Sequence, residues 1–232
     1  PEPIDILDRL CRRLAPKDFL GKKILVTAGP THEHLDPVRF ISNPSSGKMG
    51  YAIARAAEYR GADVTLVAGP TCLPDLKNIK TVHVQSAEDM ASAVFAHFKE
   101  TDILIKAAAV SDYRPVETVQ QKIKKGPDET VLALRKNVDI LGEVGKQKKN
   151  QILIGFAAET EELDKNAGEK LRKKKLDMIV GNIVGGTSSG FAGDANRATL
   201  FYKGGNREAL PEMPKEELAN IILDRITDGL SP

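Results

Sequence analysis

Tryptophan is absent from this 232-residue chain, and aromatic side chains make up only 5% of it. Any core must therefore be built from aliphatic residues, which the 41% hydrophobic content supplies. Cysteine is almost as scarce. Cys11 and Cys72 stand far apart, too few for a disulfide framework or a metal-ligand pattern, and this usage fits a reducing, cytoplasmic setting. A strong charge of one sign is also missing. The formal net charge is only +2, so no nucleic-acid or membrane partner is expected from a global field. No apolar run approaches a bilayer span, and no signal peptide is visible. Internal repeats and low-complexity tracts are lacking. The chain begins at Pro1 rather than Met, as a trimmed piece of a longer chain would.

What is present is an alternation. The length suits one large α/β domain, alone or with an appended subdomain. Ile4, Leu7, Leu10, Cys11 and Leu14 recur at helical spacing before Pro16. They predict a short helix that either docks on the main body or connects to an upstream domain. Apolar runs at 23–28, 64–68, 81–84, 103–107, 151–156 and 178–180 read as buried strands. Helical patterns at 47–59, 87–98, 163–174 and 215–226 fall between or after them. That rhythm predicts an α/β, Rossmann-like fold: a mostly parallel sheet with helices on both faces. Two segments break the rhythm. Residues 130–135 alternate as a strand would, and residues 198–202 read as a partner for something like it. Together they predict a small antiparallel extension.

In such a sheet, ligands bind outside the carboxyl ends of the strands. After the first strand comes Gly29-Pro30-Thr31, then Asp36-Pro37-Val38-Arg39, then Ser42-Asn43-Pro44-Ser45-Ser46-Gly47-Lys48-Met49-Gly50 at a helix start. Small residues there let backbone N–H groups approach a phosphate; a tight structural loop is the competing reading. A Walker A loop fails, because Ser42 stands where its first Gly belongs and Met49 where Ser or Thr is required. Gly29 lacks the partners of a dinucleotide fingerprint. After the 103–107 strand comes Ala108-Ala109-Val110-Ser111-Asp112. Its alanines permit close backbone approach, and Asp112 either binds a metal-bound phosphate, ribose or base or caps the turn before Pro115. Lys122, Lys124 and Lys125 lie in a polar loop able to close over a triphosphate. Phe156 ends a buried strand, where a base packs or where core begins. His32 and His34 have no third ligand in sight, which argues against zinc.

At these residues the chain resembles phosphopantothenoylcysteine synthetase, over nearly its whole length. The resemblance rests on Val26-Thr27-Ala28-Gly29-Pro30-Thr31, the stretch from Asp36 to Gly50, Ala108-Ala109-Val110-Ser111-Asp112-Tyr113, the Lys-x-Lys-Lys-x-x-Asp pattern from Lys122 to Asp128, and Lys136-Asn137-Val138-Asp139-Ile140-Leu141. Gly155 to Thr160, and Gly190-Phe191 with Asp194 and Asn196, complete it. The wording Ser45-Ser46-Gly47-Lys48-Met49-Gly50 is that of the bacterial and archaeal form, usually fused behind a flavin-dependent decarboxylase. His34 and Val138 depart from the family, which often has Pro at those places.

The resemblance implies a ligase of coenzyme A synthesis. The carboxylate of 4′-phosphopantothenate attacks the α-phosphate of CTP, giving an acyl-cytidylate and pyrophosphate; the amine of L-cysteine then displaces CMP. It implies Mg²⁺ held with CTP near Asp112, and FMN only in a decarboxylase domain outside this chain. Residues 1–21 would be the connector and 22–232 the ligase domain. The nucleotide site would comprise Gly29, Ser45, Gly47, Gly50, Lys106, Ala107, Ala108, Asp112, Lys122, Val138, Asp139, Ile140, Leu141, Phe156, Lys170 and Lys174. Phosphopantothenate would meet Asn43, Ala108, Ala109 and Asp112, with Arg39 reaching in from a second subunit of a homodimer built on the antiparallel extension. Asn43 and Lys122 would be catalytic. A nicotinamide-dependent reductase would share the strand–helix rhythm, but the chain has no Gly-x-Gly-x-x-Gly after its first strand and no Tyr-x-x-x-Lys pair. A non-catalytic nucleotide-binding scaffold would have no need of a cationic lid.

Overall fold

The computed structural model describes residues 2–124, 130–159, 162–183 and 193–230. The elements run α1 (Pro3–Leu14), β1 (Lys23–Ala28), β2 (Glu33–His34), β3 (Phe40–Ile41), α2 (Lys48–Tyr59), β4 (Asp63–Ala68), β5 (Lys80–His83), α3 (Ala87–Phe98) and β6 (Ile103–Lys106). They continue as β7 (Tyr113–Pro115), β8 (Leu134–Lys136), α4 (Ile140–Gln147), β9 (Ile152–Glu159), α5 (Leu163–Lys173), β10 (Met178–Ile183), β11 (Ala195–Tyr202), β12 (Arg207–Pro214) and α6 (Lys215–Thr227).

The central sheet has the order β12-β11-β10-β9-β6-β1-β4-β5. From β5 to β10 every pairing is parallel, whereas β11 and β12 add antiparallel strands at one edge. Alternate residues of each strand enter different cores. Ile24, Val26 and Ala28 pack with α2 and α6 on one face; Leu25, Leu104 and Leu153 pack with α3, α4 and α5 on the other. With both faces covered, β1 is buried from Ile24 onward, which is why it reads as an unbroken apolar run. A capping box of Ser86 and Asp89 starts α3.

The α/β, Rossmann-like expectation is met; the antiparallel extension takes another form. Residues 198–202 do not pair with residues 130–135. They belong to β11, between β10 and β12, and Ala198, Leu200 and Tyr202 enter the core shared with α6. The outlying strand is shorter and later than expected: among the described residues, β8 pairs only with β7. Alternation alone cannot decide between these partners, because any half-buried sheet rewards the same period.

Besides the two- and three-residue strands β2, β3 and β7, two longer elements were hidden from periodicity. β12 contains Pro211 and Pro214, tolerated because it is an edge strand. α4 contains Gly142 and Gly145, poor helix formers. A Cβ on Gly145 would lie 2.2 Å from the Lys174 carbonyl oxygen, so glycine is what lets α4 sit against the end of α5. The N-terminal helix forms as expected but docks by its polar side: Arg12 donates to Glu58 at 2.8 Å and the Tyr59 hydroxyl donates to Asp8 at 2.6 Å. Ile6, Leu7, Leu10 and Leu14 stay exposed. Among the described residues, no helix is long and apolar enough to cross a membrane.

Candidate functional site

β1 and β6 are neighbours, but the sheet continues from β1 towards β4 and from β6 towards β9. The loops leaving their carboxyl ends therefore part in opposite directions and open a crevice. Hydrogen bonds lace its floor. The Ala109 amide donates to the Gly29 carbonyl at 2.9 Å, the Ala108 amide to Thr27 Oγ1 at 3.2 Å, and the Ser111 amide to Thr31 Oγ1 at 3.0 Å. Asn43 Nδ2 reaches across to the Ala109 carbonyl at 3.1 Å. Asn43 is therefore a strap over the crevice and not a cap of the following helix, whose N-cap is Gly47.

Three cavities meet at this edge. The first, about 70 Å³, lies over the α2 face and is lined by Ser45, Gly47, Gly50, Ala107 and Phe156, with Lys48, Asn182, Asn196 and Lys215. The second, about 380 Å³, lies over the α4 face and takes in Lys106, Ser111, Asp112, Lys174 and the run from Val138 to Leu141. The third, about 700 Å³, contains Asn43, Ser45, Phe40 and Cys72. Lys106 and Ala107, consecutive at the end of β6, put one side chain towards each of the first two cavities.

The two helix starts differ in charge. Gly47 is left-handed at φ 78°, a conformation glycine adopts without strain. Among the described residues no side chain caps the amides that follow, so there the start of α2 presents its N–H groups and the positive end of the helix dipole. α4 is capped by Asp139, whose carboxylate accepts from the Gly142 amide at 3.1 Å and from Lys174 Nζ at 2.8 Å. Burial raises the Asp139 pKa, but these hydrogen bonds outweigh it and hold the carboxyl below its usual range. Val138, just before it, leaves this cap intact. The first cavity suits phosphate; the second has its helix start already occupied by an anion.

Lys106 is the other charged group of interest. Desolvation is the main force on it and pushes its pKa down to about 8; Lys174 adds to the fall, while Asp112 and Asp139 oppose it. Asp112 is exposed, and its carboxylate makes no hydrogen bond or ion pair with a described residue, so it does not cap the turn before Pro115. A lone accessible carboxylate fits a Mg²⁺ ion that takes its other ligands from phosphates and water.

Other expected residues stand apart. Lys170 pairs with Glu159 at 2.6 Å, outside the three cavities. Lys122 is exposed on a loop whose next residue is tied down: the Ile123 amide donates to Asp36 at 3.1 Å and its carbonyl accepts from Arg39 at 2.6 Å. Arg39 itself lies on Asp36, Nε to Oδ2 at 2.9 Å, within its own chain. Five hydrogen bonds to Asp36 hold its carboxyl far below the usual range, although burial works the other way. His32 stacks on Phe40 at 3.8 Å, and His34 meets Gln85. Lys125 to Asp128, Thr160, Gly190 and Phe191 lie outside the described residues. Sequence reasoning missed Lys48, Ser111, Asn182, Asn196 and Lys215 as cavity residues. Asn182 stands at the carboxyl end of β10, so the strand-end rule would have found it; Lys215 comes from a distant helix, and no local signal marks it.

Residues 19–230 match the family described as DNA/pantothenate metabolism flavoprotein C-terminal domain. The chain is 46% identical over 207 residues to the coenzyme A biosynthesis bifunctional protein CoaBC of Bacillus subtilis, covering 89% of this chain and 51% of that protein. It is 43% identical over 230 residues to the CoaBC of Escherichia coli K12, covering 97% of this chain and 56% of that one. The chain thus spans about half the length of these relatives. A crystal structure of the C-terminal domain of a coenzyme A biosynthesis bifunctional protein CoaBC superposes with a TM-score of 0.79 at 44% identity, over 92% of this chain and 98% of that one.

Proposed function

The chain belongs to the DNA/pantothenate metabolism flavoprotein C-terminal domain family, and from that premise we propose that it is a phosphopantothenate–cysteine ligase of coenzyme A synthesis that activates 4′-phosphopantothenate with CTP. The observation that carries the reading is the pair of cavities meeting at Lys106 and Ala107, one with an uncapped helix start and one roomy enough for a nucleoside. The triphosphate runs along the Ser45, Gly47 and Gly50 backbone, where free amides and the helix dipole offset its charge. The nucleoside lies against Val138, Ile140 and Leu141. Asn43, Ala108 and Ala109 hold the phosphopantothenate carboxylate beside the α-phosphate, and such positioning alone supplies about 7–11 kcal/mol of a barrier. Mg²⁺ at Asp112 would screen the phosphates. Lys122 follows the charge as pyrophosphate leaves, and Asn43 orients the acyl carbonyl for the amine of L-cysteine.

Pyrophosphate release from CTP, phosphopantothenate and L-cysteine tests this. Release should require both co-substrates, and CTP should outperform ATP at subsaturating concentration; equal release with ATP removes the CTP assignment.

The ligase acts as a homodimer in this reading, and residues 1–21 connect it to a decarboxylase domain that carries FMN. Support for the dimer comes from the outlying β7–β8 pair, where Tyr113, Val116, Leu134 and Val138 are all more than 40% exposed, an apolar patch that a monomer would leave wet. Arg39 would then serve the neighbouring subunit. Because Leu134 touches no core, Leu134→Arg should preserve the thermal midpoint yet shift sedimentation from dimer to monomer. A wild type that sediments as a fully active monomer at micromolar concentration defeats the dimer.

A further inference from the structure

We propose that the Lys106 ammonium, together with the Ser111 hydroxyl, takes the carbonyl edge of a pyrimidine base in the cavity over α4 and so sets which nucleoside triphosphate is used. The proposal rests on the ligase reading above and deepens it. Lys106 projects from the end of β6 on the side of Leu104 and Ala108, towards α4, while Ala107 faces the cavity over α2. Its ammonium has no hydrogen bond or close ion pair among the described residues. Lys174, Lys170, Lys48 and Lys215 each have a carboxylate or carbonyl partner, in Asp139, Glu159, Asp194 and the Gly193 carbonyl; Lys136 lines the same cavity but is exposed, whereas Lys106 is not. Ser111 lines the same cavity at 6% exposure, and its buried Oγ has no hydrogen-bond partner. A buried hydroxyl left unpaired carries a desolvation cost that a bound ligand can relieve.

The ligand's orientation follows from the helix starts. Phosphate is favoured at α2, whose amides are uncapped, and disfavoured at α4, where Asp139 already supplies an anion. The base end therefore lies in the α4 cavity. There Lys106 is a donor only, and Ser111 donates as well as accepts. Cytosine offers a carbonyl oxygen beside its glycosidic bond, and adenine has no carbonyl at all. A desolvated ammonium next to that position favours the pyrimidine.

The charged groups around Lys106 are Asp112 on the loop after β6, Asp139 at the start of α4, Lys174 and Lys170 at the end of α5, and Lys136 at the end of β8, which lines the same cavity. With its pKa near 8, Lys106 donates from the charged form below that pH and loses the charge above it, so CTP binding should weaken as pH rises through 8. Stability moves the other way. The folded protein gives up this proton more readily than the unfolded chain does, so the burden of burying the charge is present below pH 8 and relieved as pH climbs towards the ordinary lysine value.

Lys106→Met and Ser111→Ala test the assignment by calorimetric binding of CMP and AMP and by pyrophosphate release with CTP and ATP from pH 6.5 to 9.5. Lys106→Met should lower the CTP-to-ATP ratio of kcat/KM by ~10-fold or more, abolish the rise in CTP KM above pH 8, and raise the thermal midpoint of the ligand-free protein. Ser111→Ala, which removes one buried oxygen and keeps the fold, should lower the same ratio by a smaller factor at every pH. A ratio and pH profile unchanged in both variants, in a wild type that is active, overturn the Lys106 assignment alone. A wild type that binds neither nucleotide and releases no pyrophosphate overturns the ligase reading and this assignment with it.

Discussion

Lys122→Gln should form acyl-cytidylate about 10²–10³ times more slowly than the wild type, the usual loss when one charge-stabilising donor is removed from a developing anion. Glutamine keeps much of the length and polarity but not the charge. The side chain is exposed, so the substitution leaves the fold alone. Its position is held indirectly, because the next residue is pinned through both its amide and its carbonyl to the Asp36–Arg39 turn. Asn43→Asp should fail at the other half of the reaction. The Asn43 amide donates to the Ala109 carbonyl; aspartate cannot donate there and sets a negative charge against both that oxygen and the oxyanion formed when cysteine attacks. Activation should survive and the second step should stall. Mass spectrometry of single-turnover mixtures separates the two: Asn43→Asp should accumulate acyl-cytidylate and Lys122→Gln should contain almost none. Equal intermediate in both variants ends the division of labour.

Gly50→Val should destabilise the protein by about 3 kcal/mol or more and remove nucleotide binding from whatever remains folded. Gly50 lies in the first turn of α2, pressed against the end of β1. A Cβ there would stand 2.5 Å from the Ala28 Cβ and 2.9 Å from the Thr27 carbonyl oxygen. Neither neighbour is a flexible side-chain tip, so the helix must move away from the strand, and overpacking of this kind usually costs about 1–3 kcal/mol before any second γ-methyl is fitted. The displaced turn carries the amides that receive phosphate. Denaturant titration and CMP calorimetry check both parts. A variant with wild-type midpoint and affinity would mean that α2 is not held where its glycine places it. Gly142→Ala is a useful contrast, since the atoms nearest its Cβ would all belong to the side chain of Asp139.

The parallel sheet was legible because its signal is local. β1 and α3 have the limits that the apolar run and the helical pattern predict, and β4, β6 and β9 differ from prediction only at their ends. So were the strand-end segments that form the crevice, since glycine, alanine and serine at a strand terminus mark close backbone approach wherever the fold puts them. The family was legible for the same reason: its motifs are short contiguous runs. What the chain could not disclose locally was pairing. Residues 198–202 carry the period of a strand, but only the packing of β11 under α6 decides that they join the main sheet. Asn43 is a strap only because Ala109, 66 residues away, ends up opposite it. Asp139 and Lys174 both stand among the expected site residues, but that they pair is decided only when α4 and α5 bring them to 2.8 Å, which closes one helix start to phosphate and leaves the other open. Lys106 is one lysine among many by composition, and its burial near Asp112, Asp139 and Lys174 is what pushes its pKa down. Periodicity and backbone permissiveness are written along the chain, whereas charge balance and hydrogen-bond partnership depend on distances that exist only once distant segments have packed.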